Sequence, residues 1–396
     1  MTKVERVALY ALLISITALS LDMLLPLLPQ IANAFSSADS NQVYFVISVV
    51  IFGMIFGEIL FGPLADALGR KPALMIGLGV FLIGTIIALT ANSLTWLLIG
   101  RAIQGIGVSG PKIATRALIR DQFQGAQMAR IMSMVFFLLI GLTMLAPIFG
   151  QWLGNAFGWR SIFYFYLILA VLAGGWLLLR HKETLPRAAR NPLLLREILS
   201  NIKLILKNGR VLSYTTIAGL VFGAQLTFLS VAQSIFATTY QRADNFVYWI
   251  AAFSLCVGLY SLLNSYLVMR KPMTFLVGIA LTGLGFSGVV LFTLTQALGT
   301  QPPFIVFVSA MAISFACIGT VFGNINALAM VYLGRVAGLG ASVISSLSSL
   351  IAFALAALMS LLHDGTPLAL SICLIISGLC GLIILLRANS FTERPV

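Results

Sequence analysis

The chain has 396 residues, of which 60% are hydrophobic and 9% charged, with a formal net charge of +13. A soluble globular domain carries about 25% charged residues, so this composition excludes one. Apolar blocks of roughly 20 residues or more, enough to cross a hydrocarbon core about 30 Å thick, specify a polytopic membrane protein.

The first apolar block begins near Val7 and contains Asp22, Pro26 and Pro29. It is too long for a cleavable signal and reads as the first span. Blocks separated by polar or turn residues then give twelve spans, at 5–29, 42–65, 73–91, 94–117, 128–153, 160–180, 211–236, 245–268, 273–297, 303–331, 337–362 and 366–387. Helix is the expected element throughout, because backbone in lipid must satisfy its hydrogen bonds within the segment. Of the 24 Lys and Arg residues, 21 fall on the side of the N-terminus, Arg160 and Arg242 on the other, and Arg101 inside a span. The asymmetry predicts both termini in the cytoplasm and explains the basic charge without nucleic acid.

The longest polar segment, Arg180 to Arg210, carries Leu193, Leu194, Ile198, Ile202, Leu204 and Ile205 among its basic residues. It reads as a linker (181–210) with an amphipathic helix on the inner membrane surface, between six-span bundles at 1–180 and 211–396. A faint repeat, "RKPALMIGLGVFLIG" from Arg70 and "RKPMTFLVGIALTGLG" from Arg270, supports two parallel halves. That is a transporter architecture with its substrate site at the midplane. Cys256, Cys317, Cys373 and Cys380 lie in apolar blocks and read as unpaired thiols. His181 and His363 are the only histidines, so no histidine-based metal site is expected; the expected coupling ion is the proton, with no cofactor.

Among eleven acids, only Asp22 and Glu58 lie deep within spans, and among the bases Arg101 is comparably deep. An ionisable group at the bilayer centre costs at least about 2.5–3.5 kcal/mol and marks function. Asp22 sits ~25 Å up the first span and Arg101 ~10 Å down the fourth, at 1.5 Å per residue. Both are in the outer half and can interact, whereas Glu58 is in the inner third. A carboxylate in apolar surroundings holds its proton more tightly, and a nearby Arg offsets this. Balanced, the two effects let Asp22 load and release protons. Pro26 and Pro29 weaken the helix end beside it.

"GPLADALGRKPAL" at Gly62–Leu74 combines glycines for close approach and a tight turn with Asp66, which can pair with Arg70 or cap the next helix. Gly62, Gly69 and Lys71 complete the loop. It resembles the signature loop of the major facilitator superfamily. "SLDMLLPLLP", "LLIGRAIQGIGVSG", "RALIRDQFQGAQMARIMSMV" and "NINALAMVYLGRVAGLGASVISSL" resemble the Bcr/CflA branch of multidrug efflux transporters, twelve-span drug:proton antiporters. The resemblance covers most of the chain.

It implies an all-α fold of two pseudo-symmetric six-helix bundles. The implied function is proton-coupled efflux of small amphipathic compounds by a monomer in a bacterial inner membrane. Asp22 would carry the proton, with Arg101 tuning it. It also implies that Asp66, Arg70 and Asp121 form an inner charge network, and that Gly141, Pro147 and Gly150 in "GLTMLAPIFGQ" supply a hinge in span five. Two positions depart from the pattern. Ala146 stands where many relatives have glycine, and Glu58 where glutamine is expected. Glu58 is either a second proton site or a protonated, neutral hydrogen-bond donor.

Candidate substrate residues at the middle of spans five and seven are Phe136, Phe137, Phe222, Gln225, Phe228 and Gln233. The glycine pairs Gly53/Gly57, Gly150/Gly154, Gly219/Gly223 and Gly319/Gly323 suggest close helix contacts. Ser342, Ser345, Ser346 and Ser349 suggest a packing face. A dedicated exporter of one metabolite (a sugar, purine or siderophore) fits the same motifs. A membrane enzyme does not, since no H-E-x-x-H, G-x-S-x-G or P-loop occurs.

Overall fold

The computed structural model describes residues 1–35, 40–123, 125–190, 200, 202–203, 205–298, 301–332 and 337–388. Among the described residues there are twelve helices of 20 or more residues and no strand. They are α1 (Lys3–Asp22), α2 (Phe45–Leu68), α3 (Arg70–Leu89), α4 (Leu94–Gln122), α5 (Gly125–Phe157), α6 (Ser161–Arg180), α7 (Gly209–Ser234), α8 (Phe246–Leu267), α9 (Met273–Ala297), α10 (Phe304–Val331), α11 (Ala337–Leu361) and α12 (Leu368–Ala388). Each corresponds to one span read from hydropathy. The chain is a multi-pass, all-α membrane protein. Most of the expected linker helix, including 191–199, lies outside the described residues.

Two details differ from the sequence reading. The first span is not one helix: α1 stops at Asp22, a 3₁₀ turn follows at Leu25–Leu27, and helix resumes at Leu28–Ala34. Pro26 and Pro29 cannot donate the backbone bonds that would carry α1 onward. The second difference is α4. Eleven helices are long and apolar enough to cross a membrane by composition, and α4 is the exception. It is 29 residues long and carries Arg101, Gln104, Ser109, Lys112, Arg116 and Arg120 among glycines. Its apolar deficit is tolerable because other helices, not lipid, cover Arg101, Gln104 and Ser109, all fully buried.

The chain forms two compact units, Met1–Asp39 with Val49–Asn201, and Ser40–Ser48 with Ile202–Val396. Within the first, α1 packs on α5, and α3 packs on α4 and α6. Within the second, α7 packs on α11, and α9 on α10 and α12. The same internal pattern recurs six helices later, as the faint sequence repeat requires. The serine stripe of α11 is part of this packing. Ser342, Ser346 and Ser349 are buried, and Gly219 of α7 lies against Ile351 and the Ser348 carbonyl. Gly323 meets nothing within 4 Å, so the last of the four glycine pairs is not a close contact at both positions. The four cysteines are free thiols.

Candidate functional site

The break in α1 organises the first unit. A helix end leaves its last carbonyls short of intrahelical donors, and here side chains from two other helices reach the last turn, where Leu19 also accepts from the Met23 N–H. Arg101 of α4 donates through Nη2 to the Ser20 carbonyl at 2.6 Å. Tyr166 of α6 donates its hydroxyl to the Leu19 carbonyl at 2.8 Å. A cation at a helix C-terminus also opposes the negative end of the dipole. Arg101 Nη1 donates to Gln104 Oε1 at 2.8 Å. Gln104 Nε2 donates to Thr85 Oγ1 at 2.7 Å, and that hydroxyl donates to the Phe81 carbonyl at 2.7 Å. A chain of bonds therefore runs from α1 through α4 to α3, with every side chain in it buried.

Asp22 sits at the centre of this arrangement but outside its bonds. It is half-buried, and no hydrogen bond or ion pair reaches its carboxylate from the described residues. Similar depth placed Asp22 and Arg101 together in the sequence reading, yet they are not an ion pair here. The guanidinium donates instead to the Ser20 carbonyl and to Gln104. Tyr166 lies within electrostatic range of both Asp22 and Arg101. Gly150 of α5 closes the other side, because any Cβ there would overlap the Met23 carbonyl. The sequence reading missed Thr85, Gln104 and Tyr166. Gln104 belongs to the quoted R-x-x-Q-G stretch and could have been found, whereas nothing marks Thr85 or Tyr166.

Glu58 has a partner that the sequence reading did not name. It is fully buried, and its Oε1 accepts from Lys112 Nζ at 2.5 Å. Lys112 is the donor of that bond, an arrangement suited to a charge-assisted pair. Lys112 thus joins Arg101 as a deep cation. Ten residues of helix still separate it from Gln122, the end of α4.

At the end of the first unit nearest the N-terminus, the expected charge network is present. Arg70 donates through Nε to Asp121 Oδ2 at 2.7 Å and through Nη1 to Asp66 Oδ1 at 2.5 Å. Gly69 adopts φ +110°, open to glycine at little cost, and a Cβ there would lie 2.6 Å from Glu183 Oε2. That carboxylate caps α3, accepting from the backbone N–H of Arg70 and Lys71 at 3.0 Å each. It also accepts from Thr184 and Leu185. Burial alone would raise the Glu183 pKa, but these four donors hold it below the usual carboxylate value. Lys71 Nζ donates to the Leu178 and His181 carbonyls, tying the loop to the end of α6. His181 Nε2 lies 2.9 Å from the Tyr10 hydroxyl and 3.1 Å from Gln122 Nε2. Glu183 and His181 gave no sign in the sequence, since single polar residues past a span read as solvated.

The remaining candidates fall in different settings. Pro147 is buried, and α5 runs through it without interruption. A Cβ on Gly141 would meet open space. Gly62 is buried in α2. The side chains of Phe136 and Phe137 lie outside the described set. Phe222 is half-buried against Phe322, and Gln225 is half-buried. Phe228 is enclosed by Phe253 and Phe315 and belongs to the core of the second unit. Gln233 is buried, with its Oε1 unbonded among the described residues.

Comparison with known proteins follows the same lines. Residues 10–357 match the family described as Major Facilitator Superfamily. A bicyclomycin resistance protein homolog of Haemophilus influenzae is 29% identical over 283 residues, 71% of each chain. A multidrug resistance protein MdtL of Salmonella paratyphi C is 31% identical over 166 residues, 42% of each chain. A solved D-xylose-proton symporter superposes with a TM-score of 0.79 at 16% identity, covering 98% of both chains.

Proposed function

The chain belongs to the Major Facilitator Superfamily, a transporter family, and on that premise we propose that it exports small amphipathic compounds in exchange for protons. It would do so across a bacterial inner membrane, with both termini cytoplasmic. The observation that carries this reading is Asp22, a half-buried carboxylate at a helix break. Its neighbours Arg101 and Tyr166 are engaged with backbone carbonyls instead. A carboxylate in such surroundings needs a counter-charge, and a proton is the smallest one available. The names of the Haemophilus and Salmonella relatives support resistance by efflux.

The chemistry follows from the geometry. With the site open to the outside, Asp22 takes a proton. Opening to the inside lets it leave down its gradient, and one charge moved gains about 2.3 kcal/mol per 100 mV. Cargo couples to this step only by preferring one protonation state, since a ligand shifts an equilibrium by its differential affinity alone. Arg101 stays in place through both steps because its bonds go to Ser20 and Gln104. It therefore supplies a fixed positive field that helps the proton depart. Arg70 with Asp66 and Asp121 would make and break during inner closure, and Glu183 would keep the loop in register.

The test is transport by purified protein in vesicles under an imposed pH gradient, with a panel of cationic, neutral and anionic fluorescent amphiphiles as cargo. Wild type should accumulate at least one of them several-fold and Asp22→Asn should only equilibrate it. Uphill accumulation by Asp22→Asn would remove Asp22 as the carrier.

A further inference from the structure

A second polar cluster on α4 is not used in the scheme above. Glu58 and Lys112 meet where α2 and α4 are in near-backbone contact, and a Cβ on Gly57 would lie 2.6 Å from Ser109 Oγ. The pair is ~15 Å from the end of α4 and ~16 Å below Arg101. Arg116 follows Lys112 by four residues and so shares its face of the helix. It lies within electrostatic range of Glu58. Arg116 is exposed, and it makes no hydrogen bond or close ion pair with the described residues. Among the described residues the cluster thus holds two cations and one acid. Glu58 is the partner of Lys112, and the exposed Arg116 guanidinium is left beside the pair without an acid in contact among the described residues.

We propose that Lys112 and Arg116 bind a carboxylate on the cargo, so that the exported compounds are amphipathic acids or zwitterions. This rests on the transporter reading. A carboxylate brings the cluster to neutrality, whereas an amine would raise its excess charge. The donors also match. The ammonium has three N–H groups, one of them taken by Glu58. The guanidinium presents a planar fork suited to a carboxylate. Residues four apart on a helix stand ~6 Å apart at Cβ, within the reach of two long side chains converging on one anionic group.

Two matched probes test this on the full chain in neutral detergent: dansylglycine, a carboxylate, and dansylglycinamide, its uncharged amide. Fluorescence titration should give at least ~10-fold tighter binding of the acid, the worth of a charge-assisted hydrogen bond. Arg116→Gln should weaken dansylglycine binding ~10-fold and leave the amide unchanged, and Arg116→Lys should keep most of the difference. Arg116 is exposed and holds no hydrogen bond or close ion pair among the described residues, so this variant does not depend on rescuing a damaged core. Equal affinity for the two probes, absence of binding by both, or an equal effect of Arg116→Gln on both would overturn the proposal. Displacement of dansylglycine by phosphatidylglycerol but not phosphatidylcholine would overturn it in favour of a lipid headgroup. Failure of Asp22→Asn to uncouple transport would leave the acid-over-amide preference standing, so the two readings fail separately.

Discussion

Replacing Lys112 by Met probes the electrostatics of the buried pair directly. In the folded protein Glu58 is fully buried, and its ammonium partner lies 2.5 Å away, 16% exposed. Removing one partner of a buried pair costs about 3–5 kcal/mol, because the other charge stays in a medium that cannot solvate it. Arg116 lies close enough to offset part of that, so the lower end of the range, about 3 kcal/mol, is expected. At roughly 2 °C or more per kcal/mol for a cooperative unit of 150–250 residues, the melting temperature should fall by at least ~6 °C. The double variant Glu58→Gln, Lys112→Met removes both charges and should recover most of the loss, since a neutral pair carries no such penalty. Tryptophan-fluorescence melts in one detergent, on wild type, both single variants and the double, complete the cycle. A Lys112→Met protein that melts with wild type, or strictly additive single effects, would refute the buried pair.

Other expectations concern the glycines of α5 and His181. Gly150→Val drives a branched side chain into the Met23 carbonyl and should abolish accumulation of folded protein, while Gly141→Ala enters open space and should be neutral. Size-exclusion profiles after expression distinguish the two. The pKa of His181 is lowered, first by burial and then by Arg6 and Lys71, partly offset by its bond to the Lys182 carbonyl and by Glu183. The folded state therefore binds fewer protons than the unfolded one below the ordinary value of 6.5, and stability falls as pH falls through that window. Wild type should lose more thermal stability between pH 7.5 and 5.5 than His181→Gln does, and equal losses would remove His181 from that response.

Hydropathy was enough to read all twelve helices, because each must bury its own backbone bonds and so announces itself as an apolar block. The helix least apparent by that measure, α4, is the one that carries Arg101, Gln104 and Lys112. Sequence assigned Lys112 and Arg116 to the inner surface, where basic residues normally collect. Their place within α4 depends on Glu58 and on close packing with α2, which are tertiary facts. The prolines after Asp22 were legible as a weakness, but the break itself is completed by Arg101 and Tyr166, far away in the chain. The loop at Gly62–Lys71 was readable by resemblance. Its cap was not, because Glu183 looks like any polar residue until four N–H groups are seen to converge on it.

The interrupted first helix has a mechanical consequence. Because the Ser20 and Leu19 carbonyls accept from side chains of α4 and α6, and Leu19 also from the Met23 N–H, Asp22 rides on a joint whose two straps belong to other rods. Sliding either rod by a fraction of an ångström tugs the strap and re-aims the acid. The aim of that single oxygen pair is thereby tied to the frame around it as well as to the helix that bears it.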